Sequence, residues 1–259
     1  MNDASPPGTV PRPAGLRALA PHAWPCAGVA LRGGSLALVI ANLAAAIVVS
    51  VVLLLLRFVD PPTSALMFTQ RLYGTEIDNR WVPLKRISPN IVRAVILSED
   101  NKFCSHWGID LGEMRAALDK AEREGAEALR GASTISQQVA KNLLLWPGRS
   151  PVRKVLEIAA TLPLELIWPK TRIMEVYLNI AEWGPGIFGI EAASRYHFNK
   201  PASRLTQREA ALLAASLPNP FERVAGKPGQ GTQRLAATIE GRMAASGPAR
   251  FACVLSGGS

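Results

Sequence analysis

The stretch SPNIVRAVILSEDNKFCSHWG, residues 88–108, decides the fold of this chain. Ser88 followed by Pro89 is typical of a helix start, because serine caps free N–H groups and proline fits the first helical position. Apolar residues then recur three and four positions apart, which predicts a helix with one face in the core. The helix is expected to end near Glu99.

Glu99 continues the apolar stripe, four residues after Val95 and eight after Ile91. A carboxylate on the apolar side of a helix is costly to ionise, so its pKa is expected to rise. That environment is typical of a general base or acid near neutral pH. A surface glutamate at a frayed helix end remains the alternative. Asp100 lies about 100° further around the helix and is expected to be structural. His106 is also expected to be structural, with a role as a catalytic partner as the alternative.

The rest of the sequence predicts a mainly α fold. Strand signals are weak, with no clear period-2 run, so a dinucleotide-binding fold has no support. The segment 69–84 is expected to be extended. Further helices are predicted in 110–130, from 134, from 150, in 170–180, from about 191, in 206–217 and, as a short helix, in 235–245.

An uncharged segment, LALVIANLAAAIVVSVVLLLL, precedes this helical part at residues 36–56. A helix that crosses the hydrocarbon core needs about 20 apolar residues, whereas the apolar region of a cleaved signal peptide has about 7–15. The segment therefore predicts a single membrane-spanning helix. The expected domain organisation is a disordered cytoplasmic tail in 1–34, the spanning helix in 35–57, a linker in 58–84, the catalytic domain in 85–222 and a C-terminal tail with a short helix in 223–259.

Charge around the span predicts its orientation. Arg12, Arg17 and Arg32 precede it and Arg57 follows it, which favours a cytoplasmic N-terminus and an external C-terminal domain. The net charge of +9 suits anionic lipid headgroups or phosphate-bearing substrates. Because the chain carries a predicted span, nucleic acid is not expected as a partner.

Three cysteines, Cys26, Cys104 and Cys253, lack the spacing of metal ligands. Only Cys104 and Cys253 follow the span and could pair outside the cell, and free thiols are expected for both. The three histidines are scattered, so no zinc site is predicted.

Two further helix starts carry candidate binding residues. Thr134 and Gln137 fit a capping box, and Thr134, Gln138 and Lys141 share one helical face. A helix N-terminus with hydroxyls and a nearby lysine suits a phosphate or a sugar. An ordinary, well-capped helix is the alternative.

The next helix brings Arg153 and Lys154 within one turn of Glu157. The group is either a surface ion pair, worth about 0.3–0.5 kcal/mol, or a cationic cluster for an anionic leaving group. In the second case Glu157 orients the cations or holds a metal.

This inventory favours transfer from a sugar diphosphate over hydrolysis of a plain glycosidic bond. Hydrolysis needs an acid to protonate a poor leaving group. A diphosphate leaves as an anion, and cations stabilise its developing charge. One carboxylate must then deprotonate the attacking hydroxyl, which Glu99 could do.

Together these motifs resemble the peptidoglycan glycosyltransferase family, which includes the N-terminal domain of class A penicillin-binding proteins. Five blocks occur in the order that the family has them. They are EDNKFCSHWG (99–108), RGASTISQQVAKNLLL (130–145), RKVLE (153–157), KTRIMEVYLN (170–179) and LTQREAALLAASLPNP (205–220). Departures are mild: Ala132 stands for a frequent glycine, Cys104 for an aromatic or aliphatic residue and Asn199 for a glycine.

The resemblance implies a lysozyme-like fold and a monofunctional enzyme in the inner membrane, with its catalytic domain in the periplasm. Such an enzyme polymerises lipid II into glycan strands, with inversion and release of undecaprenyl diphosphate. Glu99 matches the catalytic base, and Glu157 matches the second essential carboxylate. The residues that match contacts to diphosphate and sugar are Ser133, Thr134, Gln138, Lys141, Arg153 and Lys154.

The resemblance also bounds cofactors and partners. No cofactor is expected to be required, although Mg²⁺ or Mn²⁺ near the diphosphate is possible. Lipid II, the growing glycan and the membrane are the expected partners, with proteins of cell-wall synthesis or division as further candidates. A lytic transglycosylase on the same fold and a non-catalytic scaffold remain the alternatives.

Overall fold

The computed structural model describes residues 27–125, 133–148 and 150–256. The chain divides into two compact units, Met1–Ala46 and Ile47–Ser259. Helix α1, Ala27–Leu56, begins in the first unit and ends in the second. Its apolar part, Leu36–Leu56, is long and apolar enough to cross a membrane, as the sequence predicted.

Helix α3, Pro89–Glu99, lies at the centre of the second unit. Ser88 caps it by accepting a hydrogen bond from the backbone N–H of Asn90, and Pro89 takes the first helical position. The predicted apolar stripe is fully buried, as the 0% exposure of Ile91 and Val95 shows. The helix ends at Glu99, as expected, so the carboxylate lies where the buried stripe meets the surface.

Two helices pack on α3. They are α9, Gln207–Ser216, and α10, Gln230–Ala245. The sequence ended the catalytic domain at 222 and expected only a short helix at 235–245. Helix α10 is instead four turns long and buries Ala236, Ile239 and Met243 against its neighbours, so the compact unit extends beyond the expected boundary.

A second group of helices packs beside this core. It comprises α5, Ile135–Leu144, α6, Pro151–Ile167, and α7, Lys170–Ile180. Helix α6 differs from the others because its buried face is largely polar. Its outer face exposes apolar side chains, namely Val152, Val155, Leu162 and Leu166.

The remaining helices are short or peripheral. They are α2, Ala65–Leu72, α4, Leu111–Glu124, α8, Ile190–Phe198, and α11, Ala252–Leu255. Helix α2 falls partly in the segment 69–84 that was expected to be extended. It forms because Ser64 caps its first turn and Met67 is buried.

The structure also contains a three-stranded sheet that the sequence did not predict. Strand β3, Ile187–Phe188, pairs in parallel with β1, Asp78–Asn79, and antiparallel with β2, Glu182–Gly184. Strands of two or three residues are too short to leave a period-2 pattern in the sequence.

The expectation of free thiols at Cys104 and Cys253 is wrong. The two cysteines form a disulfide with their Cα atoms 5.5 Å apart. They are separated by 149 positions, so nothing local in the sequence indicates the pairing. Helix α11 brings Cys253 to the loop that follows Glu99.

Candidate active site

Glu99 is half-buried at the end of α3 and is held by α5. Gln138 donates a hydrogen bond of 3.0 Å from Nε2 to Glu99 Oε2. Burial raises the pKa of Glu99 above its ordinary value. The Gln138 hydrogen bond and the charge of Lys141 oppose this rise, while Asp100 adds to it. The direction is the one expected from the apolar stripe, and it suits a base that works near neutral pH.

Asp100, next to Glu99, connects α3 to α5. Its Oδ2 accepts a hydrogen bond of 3.0 Å from the backbone N–H of Ile135, at the first turn of α5. His106 Nε2 lies 2.9 and 3.0 Å from the two Asp100 oxygens. Asp100 therefore ties the start of α5 to the end of α3 and keeps Gln138 beside Glu99.

The start of α5 forms the predicted capping box between Thr134 and Gln137. Thr134 Oγ1 accepts from the backbone N–H of Gln137 and donates to the carbonyl of Gly108. The hydroxyl is thus engaged within the protein, although Thr134 also lines the cleft beside Glu99.

The predicted cationic cluster is assembled around Glu157, which is only 2% exposed. Lys154 Nζ lies 2.5 Å from Glu157 Oε1, and Arg153 Nη1 lies 3.3 Å from Oε2. Lys154 Nζ also donates to Ser133 Oγ at 2.9 Å. The cluster therefore joins the first turns of α6 to the residue that precedes α5.

Both Glu99 and the cationic cluster influence the pKa of Lys141. Burial lowers the pKa of Lys141, and the charges of Arg153 and Lys154 lower it further. The carboxylates of Glu157 and Glu99 oppose these effects. Lys141 thus lies in the electrostatic field of both groups.

A cleft of about 630 Å³ opens at Glu99. Ser133 and Thr134 line it on one side, and Arg242 and Arg250, from α10 and the turn that follows, line it as well. Neither arginine was a candidate in the sequence analysis. The only sequence signal for them is that the segment 223–259 contains basic residues, and this segment was expected to be a C-terminal tail.

The chain is similar to a family of known proteins. The family profile described as Transglycosylase matches residues 67–243. This chain belongs to the transglycosylase family. Its mainly helical, lysozyme-like fold, as expected from the sequence, is thereby confirmed.

Curated relatives agree with this family assignment. Proteins named biosynthetic peptidoglycan transglycosylase from Agrobacterium fabrum and Rhodospirillum centenum are similar to it. The first is 53% identical over 194 residues, which are 75% of this chain and 84% of the relative. The second is 55% identical over 189 residues, which are 73% of this chain and 81% of the relative.

The side chains of this transglycosylase offer few ligands for a metal ion. Within residues 27–125, 133–148 and 150–256, no three or more His, Cys, Asp or Glu side chains form a group that could hold a metal ion. Glu157 is already paired with two cations. A divalent ion at this site would therefore need most of its ligands from a bound substrate or from water.

Proposed function

We propose that this peptidoglycan transglycosylase of cell-wall biosynthesis polymerises lipid II into glycan strands and releases undecaprenyl diphosphate. The observation that carries the proposal is the half-buried Glu99 carboxylate beside a cluster of cations around the buried Glu157. The family assignment and the names of the relatives support it.

Glu99 acts as the general base in this proposal. Its carboxylate takes the proton of the 4-hydroxyl group on the acceptor sugar. The acceptor oxygen then bonds to the anomeric carbon of the donor, and the bond from that carbon to the diphosphate oxygen breaks. Because attack and departure occur on opposite faces, the anomeric configuration inverts.

The cationic cluster stabilises the departing group. Negative charge develops on the diphosphate as its bond to the sugar breaks, and fixed cations lower the energy of that state. Lys154 is the most accessible member, with 40% of its side chain exposed. Glu157 is buried beneath it and holds Lys154 and Arg153 in position, so it acts through the cations. No acid is needed, since the diphosphate leaves as an anion.

A lipid-linked donor is supported by α6 itself. The helix buries Arg153 and Glu157 and exposes the apolar side chains of Val152, Val155 and Leu166. A patch of exposed apolar side chains on a helix suits contact with a membrane, and Lys154 lies on the same helix with 40% of its side chain exposed. The residues proposed to bind the diphosphate would then lie at the depth of lipid headgroups.

The proposed location is the inner membrane, with the catalytic unit in the periplasm. The apolar helix Leu36–Leu56 supports membrane anchoring. The Cys104–Cys253 disulfide supports an external catalytic unit, because disulfides persist in the bacterial periplasm and are rare in the cytosol. The proposal also includes Mg²⁺ or Mn²⁺ shared with the diphosphate and partner proteins of cell-wall synthesis or division.

The test is polymerisation of labelled lipid II by Glu99→Gln. We expect a loss of about 10²–10⁴-fold, the usual contribution of a general base. Thermal stability should not fall. The folded-state pKa of Glu99 is raised, so ionisation of this group costs stability as pH rises, and glutamine removes that cost at neutral pH.

Glu182→Gln is the matched control. Glu182 also has a pKa raised by burial and accepts hydrogen bonds from a glutamine, Gln70, but it does not line the cleft beside Glu99. Its variant should polymerise lipid II normally. Full activity of Glu99→Gln would sink the proposal, and cleavage of purified glycan by the wild-type protein would favour a lytic enzyme.

A further inference from the structure

Arg242 and Arg250 contact the chain on both sides of the base. Arg242 Nη1 donates to the carbonyl of Leu97 at 3.3 Å, and Arg250 Nη1 donates to Asn101 Oδ1 at 2.5 Å. Leu97 and Asn101 lie two residues before and two residues after Glu99. The C-terminal part of the unit thus forms a wall of the cleft at the catalytic position.

The wall is held in place independently of the arginines. Phe251 is 2% exposed, with the Arg93 guanidinium 5.8 Å from its ring centre. The disulfide ties Cys253, three residues after Arg250, to Cys104. A side chain on a covalently fixed wall binds a ligand at a smaller entropic cost than one on a free tail.

The guanidinium groups of Arg242 and Arg250 have N–H hydrogen-bond donors that the bonds to Leu97 and Asn101 do not use. Each guanidinium has five N–H donors, and the hydrogen bonds above use one nitrogen in each. Both side chains are exposed to the cleft. Among the described residues, no Asp or Glu oxygen lies within 4.0 Å of either guanidinium.

The acidic residues of the cleft have partners of their own. Asp110 and Glu113 lie 3.2 and 3.0 Å from Lys102 Nζ. Asp100 is bound to His106 and to the start of α5. Glu99, the other carboxylate of the cleft, accepts its hydrogen bond from Gln138. Among the described residues, neither arginine is therefore tied up in an ion pair with a carboxylate of the cleft.

We propose that Arg242 and Arg250 form a subsite for the carboxylates of the peptide that the sugar substrate carries. This inference rests on the proposed function and adds a substrate group to it. The cluster around Glu157 takes the diphosphate, so a second cationic site needs a second anionic group on the same substrate. Planar guanidinium groups bind carboxylates through paired hydrogen bonds.

The kinetic test compares two substrates with the full-length protein. One is lipid II, and the other is lipid II whose peptide carboxylates have been converted to primary amides. Arg242→Gln and Arg250→Gln should each raise KM for the first substrate about threefold to fivefold, the upper range for exposed ion pairs. The double variant should raise it about tenfold, and KM for the amidated substrate should stay unchanged in every variant.

Arg234→Gln is the matched control. Arg234 is exposed on the same helix, two turns before Arg242, and does not line the cleft. Its variant should keep both KM values. Circular dichroism and thermal unfolding of each variant establish that the fold is kept.

Three outcomes would overturn the proposal. The first is an equal change in KM for both substrates, and the second is no change in KM at all. The third is a fall in kcat with KM unchanged, which would make the arginines positioning residues for segment 97–101. A soluble muramoyl pentapeptide tests the subsite without turnover: the wild-type protein should bind it and the double variant should bind it about tenfold more weakly. Wild-type protein that binds this peptide but polymerises neither substrate would contradict the proposed function alone, whereas absence of peptide binding would contradict the subsite.

Discussion

Gln138 Nε2 donates a hydrogen bond to Glu99 Oε2 at 3.0 Å and joins two helices across 39 positions of the chain. The bond stabilises the ionised carboxylate, because an N–H donor favours the charged form of its acceptor. It therefore opposes the rise in the pKa of Glu99 that burial causes. In the proposed mechanism, Gln138 therefore helps to set the pH above which Glu99 can accept a proton.

Gln138→Leu should move the acid limb of the pH profile upward. Glu99 must be ionised to accept a proton, so kcat/KM falls as pH drops through its pKa, which is already raised by burial. Losing the hydrogen bond raises that pKa further. We expect kcat/KM to be about tenfold below wild type at pH values below the pKa of Glu99, and the difference to narrow as pH rises.

Gln70→Leu is the control for this prediction. It removes the same type of glutamine from Glu182, outside the cleft. The acid limb should stay in place. A Gln138→Leu profile that is lowered equally at every pH would assign Gln138 to substrate binding and leave the base untouched.

Glu157→Gln and Lys154→Met should separate folding from donor binding. Glu157 and Arg153 are both buried, so loss of the carboxylate charge leaves Arg153 without a counter-ion and should cost about 3–5 kcal/mol of unfolding free energy. Lys154 is partly exposed, so its variant should keep most of its stability and show a raised KM for lipid II. Chemical denaturation and polymerisation kinetics measure the two effects.

Glu124→Gln is the matched change for the stability arm. Glu124 pairs with Lys120 at 3.6 Å, and both side chains are more than half exposed. Its variant should lie within about 0.5 kcal/mol of wild type. If Glu157→Gln were equally mild, the cluster would be solvated and its role as a buried support for the cations would be wrong.

The double variant Cys104→Ser/Cys253→Ser should lower the unfolding free energy by about 2–4 kcal/mol. The disulfide closes a loop over 149 positions, so its loss restores much freedom to the unfolded chain. A reductant should destabilise the wild-type protein by a similar amount and leave the double variant unaffected. Equal sensitivity of both proteins to the reductant would show that the bond does not stabilise the fold.

Gly108→Ala should destabilise the protein by about 2–4 kcal/mol. Gly108 has a φ of +77°, and a Cβ there would lie 2.7 Å from Glu165 Cγ and from Thr161 Cγ2. Its carbonyl also accepts the hydrogen bond of Thr134. The shift in unfolding midpoint measures the effect.

Gly74→Ala is the control that separates the cost of a positive φ from the cost of steric clashes with the added Cβ. Gly74 has a similar φ of +82°, but among the described residues no atom lies within 4 Å of its added Cβ. Its cost should be about 1–2 kcal/mol. Equal costs at the two positions would mean that the contacts of Gly108 relax freely.

The predicted helices are the part of the fold that local chemistry encodes. Caps at Ser88, Thr134 and Thr206 each act on a backbone N–H within three residues. Such signals are complete within one turn, so the sequence predicted where α3, α5 and α9 begin. The apolar stripe of α3 likewise predicted the direction of the pKa shift at Glu99.

Other features depend on residues far apart in the chain. The sheet joins β1 to a strand more than a hundred positions later, and α10 gains its length by packing on α3 and α9. The disulfide at Cys104 could not be predicted, because no local pattern distinguishes a paired cysteine from a free one. Arg242 and Arg250 could not be predicted either, because no local pattern shows that a basic residue of the C-terminal segment lines a distant cleft.

The sequence by itself determined the helical fold, the apolar span, the family resemblance and the residues that carry the proposed chemistry. These follow from periodicity, capping and motifs that are contiguous in the chain. Only the tertiary structure decided that Gln138 meets Glu99, that Glu157 is buried beneath two cations, and that a disulfide-held C-terminal wall lines the cleft. The physical reason is that burial, ion pairing and access to a cleft are set by which distant segments pack together.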